Sequence, residues 1–399
     1  MALDILKEKG VALEKQRFNW RELSGPPYSK LDDDAFTRVR VILMNGIESE
    51  ALRFSHACAR MNDGGLREPL ARVRRVEQHQ QTLVNWMNPP DQSPLETTIG
   101  FEQVAIEVTA HVAATEPDPY MAQVYRFGLL EDFDHLYRYS ALADRVEGKD
   151  PNNLLQGYTD IRPGRPTAEE HRDPADDLRR WYDKRKASPL TKLNATTIMA
   201  AEHQTHDYYM NIGPTFTDPV ARALYAEIAS VEEQHVTQYE SIIDPTESWL
   251  EKWVLHEATE VWNYWSCLQT ESNARCREIW ERFLAYELGH LQYAMGIFQR
   301  VEKRDPAEIL PASLPDPIAF ESHRAFVKQV LDTEVDLRAN GPDFVAAEQE
   351  PARSMQLRRD LNSKGSPSEI IAEGYRWRPG TELVDRMPMA STGYEGRLQ

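Results

Sequence analysis

The chain has 399 residues, 41% of them hydrophobic, and a formal net charge of −18. That length predicts two or three domains with sizeable cores, and the acidic surplus excludes neutralising a nucleic-acid backbone, which needs excess Lys and Arg. Cys58, Cys267 and Cys276 have no paired spacing, so neither a disulfide framework nor an iron–sulfur or zinc site is expected. No segment approaches the apolar length of a membrane span, and the opening residues Met1 to Glu8 lack the apolar core of a targeting signal. A cytoplasmic protein with no membrane or nucleic-acid partner is the expectation.

Helical periodicity runs almost throughout, and nothing reads as a sheet. Four helices are predicted near 33–62, 66–88, 95–115 and 118–145, broken at Asp63-Gly64-Gly65, Pro89-Pro90 and Pro117-Asp118-Pro119. Residues 146–190 are rich in Gly, Pro and charge, which suits an interdomain linker with at most one short helix around Asp176 to Lys186. A second set of helices is predicted near 191–211, 218–242, 246–271 and 273–303, with Asp218 and Thr246 as N-caps. One further amphipathic helix is expected near 317–338. An extended tail follows, punctuated by Gly341-Pro342, Gly365-Ser366-Pro367 and Pro379-Gly380, that wraps the helices or joins a neighbouring subunit.

The second set carries two Glu-x-x-His pairs, Glu232 with His235 and Glu287 with His290. Residues three apart share a helix face, so each pair can turn a carboxylate and an imidazole toward one metal cluster. The other two helices offer Glu202 and Glu257, the latter followed by Glu260. Glu, Glu-x-x-His, Glu, Glu-x-x-His is the di-iron or di-manganese carboxylate pattern of helix bundles. His203 and His206 read as second-layer or surface groups. Tyr208, Tyr209, Trp262, Trp265, Tyr286 and Tyr293 read as core aromatics rather than a redox relay.

The first half repeats the second at an offset of 155 residues, the separation of Glu77 from Glu232. Glu102 then falls on Glu257, Asp132 on Glu287, His135 on His290 and Pro90 on Pro245, which reads as an internal duplication. With Glu48 these form the weaker first-half ligand set. Gln80 stands where His235 stands, Ala105 replaces Glu260, and Asp132 is one methylene shorter than Glu287, so metal in the first half is expected to be weak or absent.

These patterns resemble the ferritin-like superfamily, and most closely rubrerythrin-type di-iron domains. Gly46-Ile47-Glu48-Ser49-Glu50-Ala51-Leu52-Arg53-Phe54 resembles their first helix with one residue inserted; Tyr209 follows Glu202 at seven residues; and Glu257-x-x-Glu260 resembles the third-helix pair whose glutamates alternate as ligands. The resemblance implies an all-α fold of two tandem ferritin-like four-helix bundles. These are a degenerate one over 33–145 and one with the intact metal pattern over 191–303, followed by a C-terminal helix and extended tail over 304–399. No four-cysteine rubredoxin segment is present. In the resembling fold, helices two and three are parallel and joined by a long crossover. Here Glu232 and Glu257 lie at similar distances on either side of the Asp244-Pro245 break. Either helix two ends early and the chain crosses in extended form, or the topology is up-down-up-down and one ligand assignment is wrong.

The leading functional expectation is a di-metal oxidoreductase with two Fe (or Mn) ions in the second bundle, acting on dioxygen, peroxide or a small organic substrate. Glu202, Glu232, Glu257 and Glu287 would hold or bridge the ions, His235 and His290 would complete one each, and Glu260 would swing in on oxidation. An external electron donor and a homo-oligomer are expected partners. An iron-storing ferroxidase and a non-catalytic helical scaffold are the alternative classes.

Overall fold

The computed structural model describes residues 3–26, 29–30, 34–62 and 64–376. Eight long helices dominate: α1 (Ala35–Met61), α2 (Gly64–Asn85), α3 (Pro94–Thr115), α4 (Pro119–Glu147), α5 (Pro189–Ile212), α6 (Pro219–Ser241), α7 (Trp249–Thr270) and α8 (Ala274–Glu302). The chain is mostly helical, as its periodicity predicts. Among the described residues no helix is long and apolar enough to cross a membrane.

The duplication extends to the helix ends. α3 opens with a capping box of Ser93 and Glu96, and α7 with the matching box of Ser248 and Glu251. Each capping hydroxyl also reaches the last turn of the following helix, Ser93 to Glu147 and Ser248 to Glu302. Asp118 and Asn273 cap α4 and α8. Those helices end in matching left-handed residues, Gly148 at φ +61° and Lys303 at φ +58°. Asp218 caps α6 as expected, whereas Ser248 and not Thr246 caps α7. Thr246 instead closes a tight turn on the Asp244 carboxylate, through its N–H at 2.8 Å.

Helices pair with their chain neighbours as the hairpins α1–α2, α3–α4, α5–α6 and α7–α8. α1 and α5 each touch the other three helices of an inner set α1, α3, α5 and α7, and each of the four pairs with its chain neighbour. Bridging contacts between hairpins then cross the predicted bundle boundaries. From α2, Gln80 donates to Glu287 on α8 at 2.5 Å, and from α4, His135 meets Glu232 on α6 at 3.1 Å. Hairpin α1–α2 therefore shares buried polar groups with α7–α8, and α3–α4 with α5–α6. Each group of four takes one hairpin from each half, in place of the split at 33–145 and 191–303. The short α6–α7 turn is compatible with both ligand assignments, because Glu232 and Glu257 serve different groups.

The segment between the halves is not a free linker. It holds a short helix at Asn152–Leu155 and two 3-10 turns, at Thr167–Glu169 and Pro174–Asp176, in place of a helix at 176–186. Thr159, Ile161, Arg165, Glu170 and Arg172 within it are buried. A matching strap precedes α1. Val11 N–H donates to Ala285 O on α8 at 2.7 Å, and Arg165 N–H to Leu130 O on α4 at 3.0 Å. Gly10 and Gly164 allow these approaches, since a Cβ there would lie 2.3 Å from Ala285 O and 2.2 Å from Leu130 O respectively.

Beyond α8, the helix expected over 317–338 is confined to α9 (Arg324–Glu334). It gives way to an unforeseen antiparallel hairpin, β1 (Leu337–Asn340) with β2 (Asp343–Ala346), turning at Gly341-Pro342. Gly341 at φ +56° supplies the left-handed turn residue that ends the helical reading. α10 (Ala352–Leu361) and α11 (Pro367–Ala372) follow, and α11 packs on α4 and α6. Pro379-Gly380 lies outside the described residues.

Candidate metal centres

Every residue of the predicted ligand set is buried, none more than 2% exposed. The structure gathers them into two clusters. Site I, between α1–α2 and α7–α8, holds Glu48, Glu77, Glu257, Glu260, Glu287 and His290. Site II, between α3–α4 and α5–α6, holds Glu102, Asp132, His135, Glu202, Glu232 and His235. In site II, Asp132, Glu202, Glu232 and His235 form one donor group and Glu102, His135 and Glu232 another; within each, ligand atoms lie within 4.8 Å of one another. In site I the groups are Glu77, Glu257 and His290, and Glu257, Glu260 and Glu287, by the same criterion. Each site thus holds two donor groups that share one glutamate, Glu232 in site II and Glu257 in site I.

The expected single complete site of the second half is therefore corrected. Glu202, Glu232 and His235 join first-half ligands, while Glu257, Glu260, Glu287 and His290 join Glu48 and Glu77. The reason is the hairpin exchange, which also divides the losses of the degenerate half. Site II has both histidines but Ala105 and Asp132 in the altered positions. Site I keeps Glu260 and Glu287 but has Gln80, whose amide donates to Glu48 at 3.2 Å and to Glu287 at 2.5 Å.

Both imidazoles of site II turn Nδ1 inward and are fixed from behind at Nε2. His235 Nδ1 lies 3.3 Å from both Asp132 and Glu232, and its Nε2 is 2.8 Å from Glu131. His135 Nδ1 lies 3.1 Å from Glu232, and its Nε2 is 2.9 Å from Glu170. Glu131 is itself held by Arg165 at 3.0 Å and Arg172 at 2.6 Å. In site I, His290 Nδ1 is 2.9 Å from Glu287 and its Nε2 is 2.7 Å from Gln16 Oε1. Gln16 and Glu170 belong to the two straps at the same offset, 154 residues, as Gly10 and Gly164. These backing residues, with Glu131, were not singled out from the sequence. Gln16 falls on Glu170 only at an offset one residue shorter than the 155 of the helices.

The remaining oxygens are starved of partners. Both carboxylate oxygens of Asp132, Glu202 and Glu260, and one each of Glu48, Glu77, Glu102, Glu232 and Glu257, are buried without a hydrogen bond. Tyrosines meet one oxygen at each site, Tyr264 donating to Glu48 and Tyr209 to Glu102, and Trp253 Nε1 donates to Glu257 at 2.5 Å. An unpaired buried carboxylate costs several kcal/mol. Burial pushes Glu48, Glu102, Glu202, Glu257 and Glu260 well above the ordinary carboxylate range, with neighbouring carboxylates adding to the effect, and lifts Glu77 to about 8. Burial acts the same way on Glu232, but the hydrogen bond from His135 and the His235 imidazole 3.3 Å away outweigh it and hold that carboxyl low. Burial alone would lower both imidazoles, yet Glu170 beside His135 and Asp132 beside His235 raise them well above their usual value. Without an ion, these shifts favour charged imidazoles and protonated carboxyls in site II.

No protein family, no curated protein and no solved structure matches this chain. The site's own chemistry must carry the reading. Buried carboxylate and imidazole clusters that could hold metal ions are present, and the orphaned oxygens fit that use. His203 is elsewhere, 2.7 Å from Glu50, and His206 faces Asp207 and Glu233. Tyr209, read from the sequence as core, reaches the edge of site II through Glu102.

Proposed function

We propose that the chain is a ferritin-like di-metal carboxylate protein with two sites, binding iron or manganese, and that site II carries an oxidoreductase activity toward dioxygen or peroxide. One observation carries the reading: two pairs of donor groups, each pair sharing one glutamate, in which every carboxylate but Glu287 keeps at least one oxygen buried without a partner. Hard oxygens with a minority of imidazole nitrogens suit iron and manganese better than zinc or copper. Such ions, bound as a pair, would supply electron uptake and the activation of dioxygen or peroxide. Ligands at most 2% exposed favour a diatomic or peroxide over a bulky organic substrate.

Within that reading, Glu232 would bridge site II, with Glu202, Asp132 and His235 on one side and Glu102 and His135 on the other. Glu131 and Glu170 fix the imidazole rings with Nδ1 inward and accept hydrogen bonds from Nε2, raising ligand basicity. Arg165 and Arg172 keep Glu131 ionised and in place. Tyr209 holds one oxygen of Glu102 by its hydroxyl and leaves the other facing the cluster. In site I Gln80 supplies no imidazole, so that site would be the weaker one, and Glu260, with both oxygens unpartnered, would be the carboxylate most able to shift within it.

The test is to load the protein with ferrous iron without oxygen, measure iron content, and follow peroxide or oxygen consumption. About two ions in site II and turnover lost in His235→Ala support the proposal. A folded protein that takes up neither iron nor manganese would refute it.

A further inference from the structure

A polar cavity of about 400 Å³ lies where the first turns of α5 and α7 meet the residues after α8, and none of its lining residues belongs to a donor group of either site. It is lined by four cations, Lys184, Arg185, Lys192 and Arg304, and three carboxylates, Glu247, Glu251 and Glu308. The carboxylates are already engaged. Glu251 binds Lys184 at 2.8 Å and Arg304 at 2.7 Å, Glu308 binds Arg304 at 3.0 Å, and Glu247 accepts the Tyr182 hydroxyl at 2.8 Å. Lys192 is left over. It is only 6% exposed, lines the cavity, and makes no ion pair or side-chain hydrogen bond with any described residue.

Three rules are broken at this one side chain. Lysine is rarely buried without a partner; a buried charge needs a counter-charge; and a cation is disfavoured in the first turn of a helix, where the backbone dipole is positive. Lys192 is the fourth residue of α5. α7 also begins at the cavity, with Glu247 just before it and Glu251 in its first turn. The exposed Arg185 adds a cation at the mouth, also without an ion pair among the described residues. All this occurs in a chain of net charge −18, where carboxylates to pair with Lys192 are plentiful. An unpaired cation at helix N-termini is what an incoming anion would complete.

We propose that this cavity binds a small oxyanion, the carboxylate or phosphate group of a small molecule, with Lys192 as its anchor and Arg185 at its rim. The proposal stands independently of the metal sites. Burial is also the first cause of a lowered Lys192 pKa, against the pull of Glu247 and Glu251, so the bare ammonium is poorly stabilised until an anion arrives.

Calorimetric titration of the full chain with inorganic phosphate, and separately with succinate, tests it, with chloride at equal ionic strength as control. One of the two anions is expected to bind, and which one identifies the head group. Lys192→Met should weaken that binding about ten- to hundredfold, the range of one charge-assisted hydrogen bond, while Lys192→Arg retains part of it. Arg185→Ala, on the surface and without effect on folding, should weaken it several-fold. Ligand-free Lys192→Met should melt no lower than the parent, because the ammonium makes no ion pair with any described residue. Binding no stronger than that of chloride, or unchanged in both Lys192→Met and Arg185→Ala, would overturn the proposal. Should Lys192→Met not fold, the anchor assignment fails, because Lys192 would then be a structural cation.

Discussion

If the two sites are interleaved across the halves, histidine substitutions should sort by site and not by position in the sequence. If each of the two donor groups in each site holds one ion, the loaded parent should hold about four ions per chain. His235→Ala and His135→Ala remove the two imidazoles of one site although they lie in different halves, and each should empty site II. The double variant should lose nothing more, whereas His235→Ala with His290→Ala should lose both sites. At a metal concentration a hundredfold above the dissociation constant, each bound ion adds about 2.7 kcal/mol of stability, so an emptied site forfeits roughly 5 kcal/mol of metal-dependent protection. Elemental analysis and calorimetric melting with and without metal measure both quantities. The reasoning fails if His235→Ala and His290→Ala deplete the same ions while His135→Ala spares them, since that pattern belongs to one site built wholly from the second half.

Four further outcomes follow from the geometry. Glu170→Gln should weaken metal binding at site II by ten- to a hundredfold and leave site I intact, and Gln16→Ala should do the converse; equal effects on both sites would refute the strap assignment. Metal uptake should release protons, because His135, His235, Glu102 and Glu202 are all shifted upward and hold protons in the ion-free protein. Affinity must therefore fall as pH falls through those raised values, and titrations in buffers of different ionisation enthalpy would expose the protons, a null result sinking the claim. Gly164→Ala would place a Cβ 2.2 Å from Leu130 O and 2.7 Å from Asp134 N; lifting the strap should cost about 1–3 kcal/mol in urea unfolding. Lys303→Gly, at a left-handed position that the first half fills with Gly148, should stabilise by about 1 kcal/mol; a lower midpoint would contradict the comparison of the two caps.

The eight helices were legible because each carries its own apolar stripe and its own cap or breaker, all local properties. The clustered carboxylates and histidines were legible for the same reason: Glu-x-x-His spacing is fixed by one helix, and Gln80 stands opposite Glu48 and Glu287 as its register with His235 requires. The hairpin β1–β2 was missed because its strands are four residues each, too short for an alternation to stand out. The backing residues escaped for another reason, since Gln16 and Glu170 sit on irregular straps where no periodicity marks the inward face.

The pairing of hairpins was hidden more deeply. An internal duplication states that α1–α2 corresponds to α5–α6, and α3–α4 to α7–α8. It does not state whether each first-type hairpin closes on the second-type hairpin of its own half or of the other. Both arrangements bring equivalent residues together, as in a domain-swapped dimer and its closed monomers. What differs is the linkage, and here the sequence held one informative conflict. A short turn at Asp244-Pro245 could not supply the crossover that a single site containing both Glu232 and Glu257 demands. Assigning those glutamates to different sites removes the conflict without discarding either ligand. It also redistributes the substitutions that made the first half look decayed. Gln80 weakens one site, Ala105 and Asp132 alter the other, and the two-histidine set ends up in the cluster that draws His135 from the half expected to be inert.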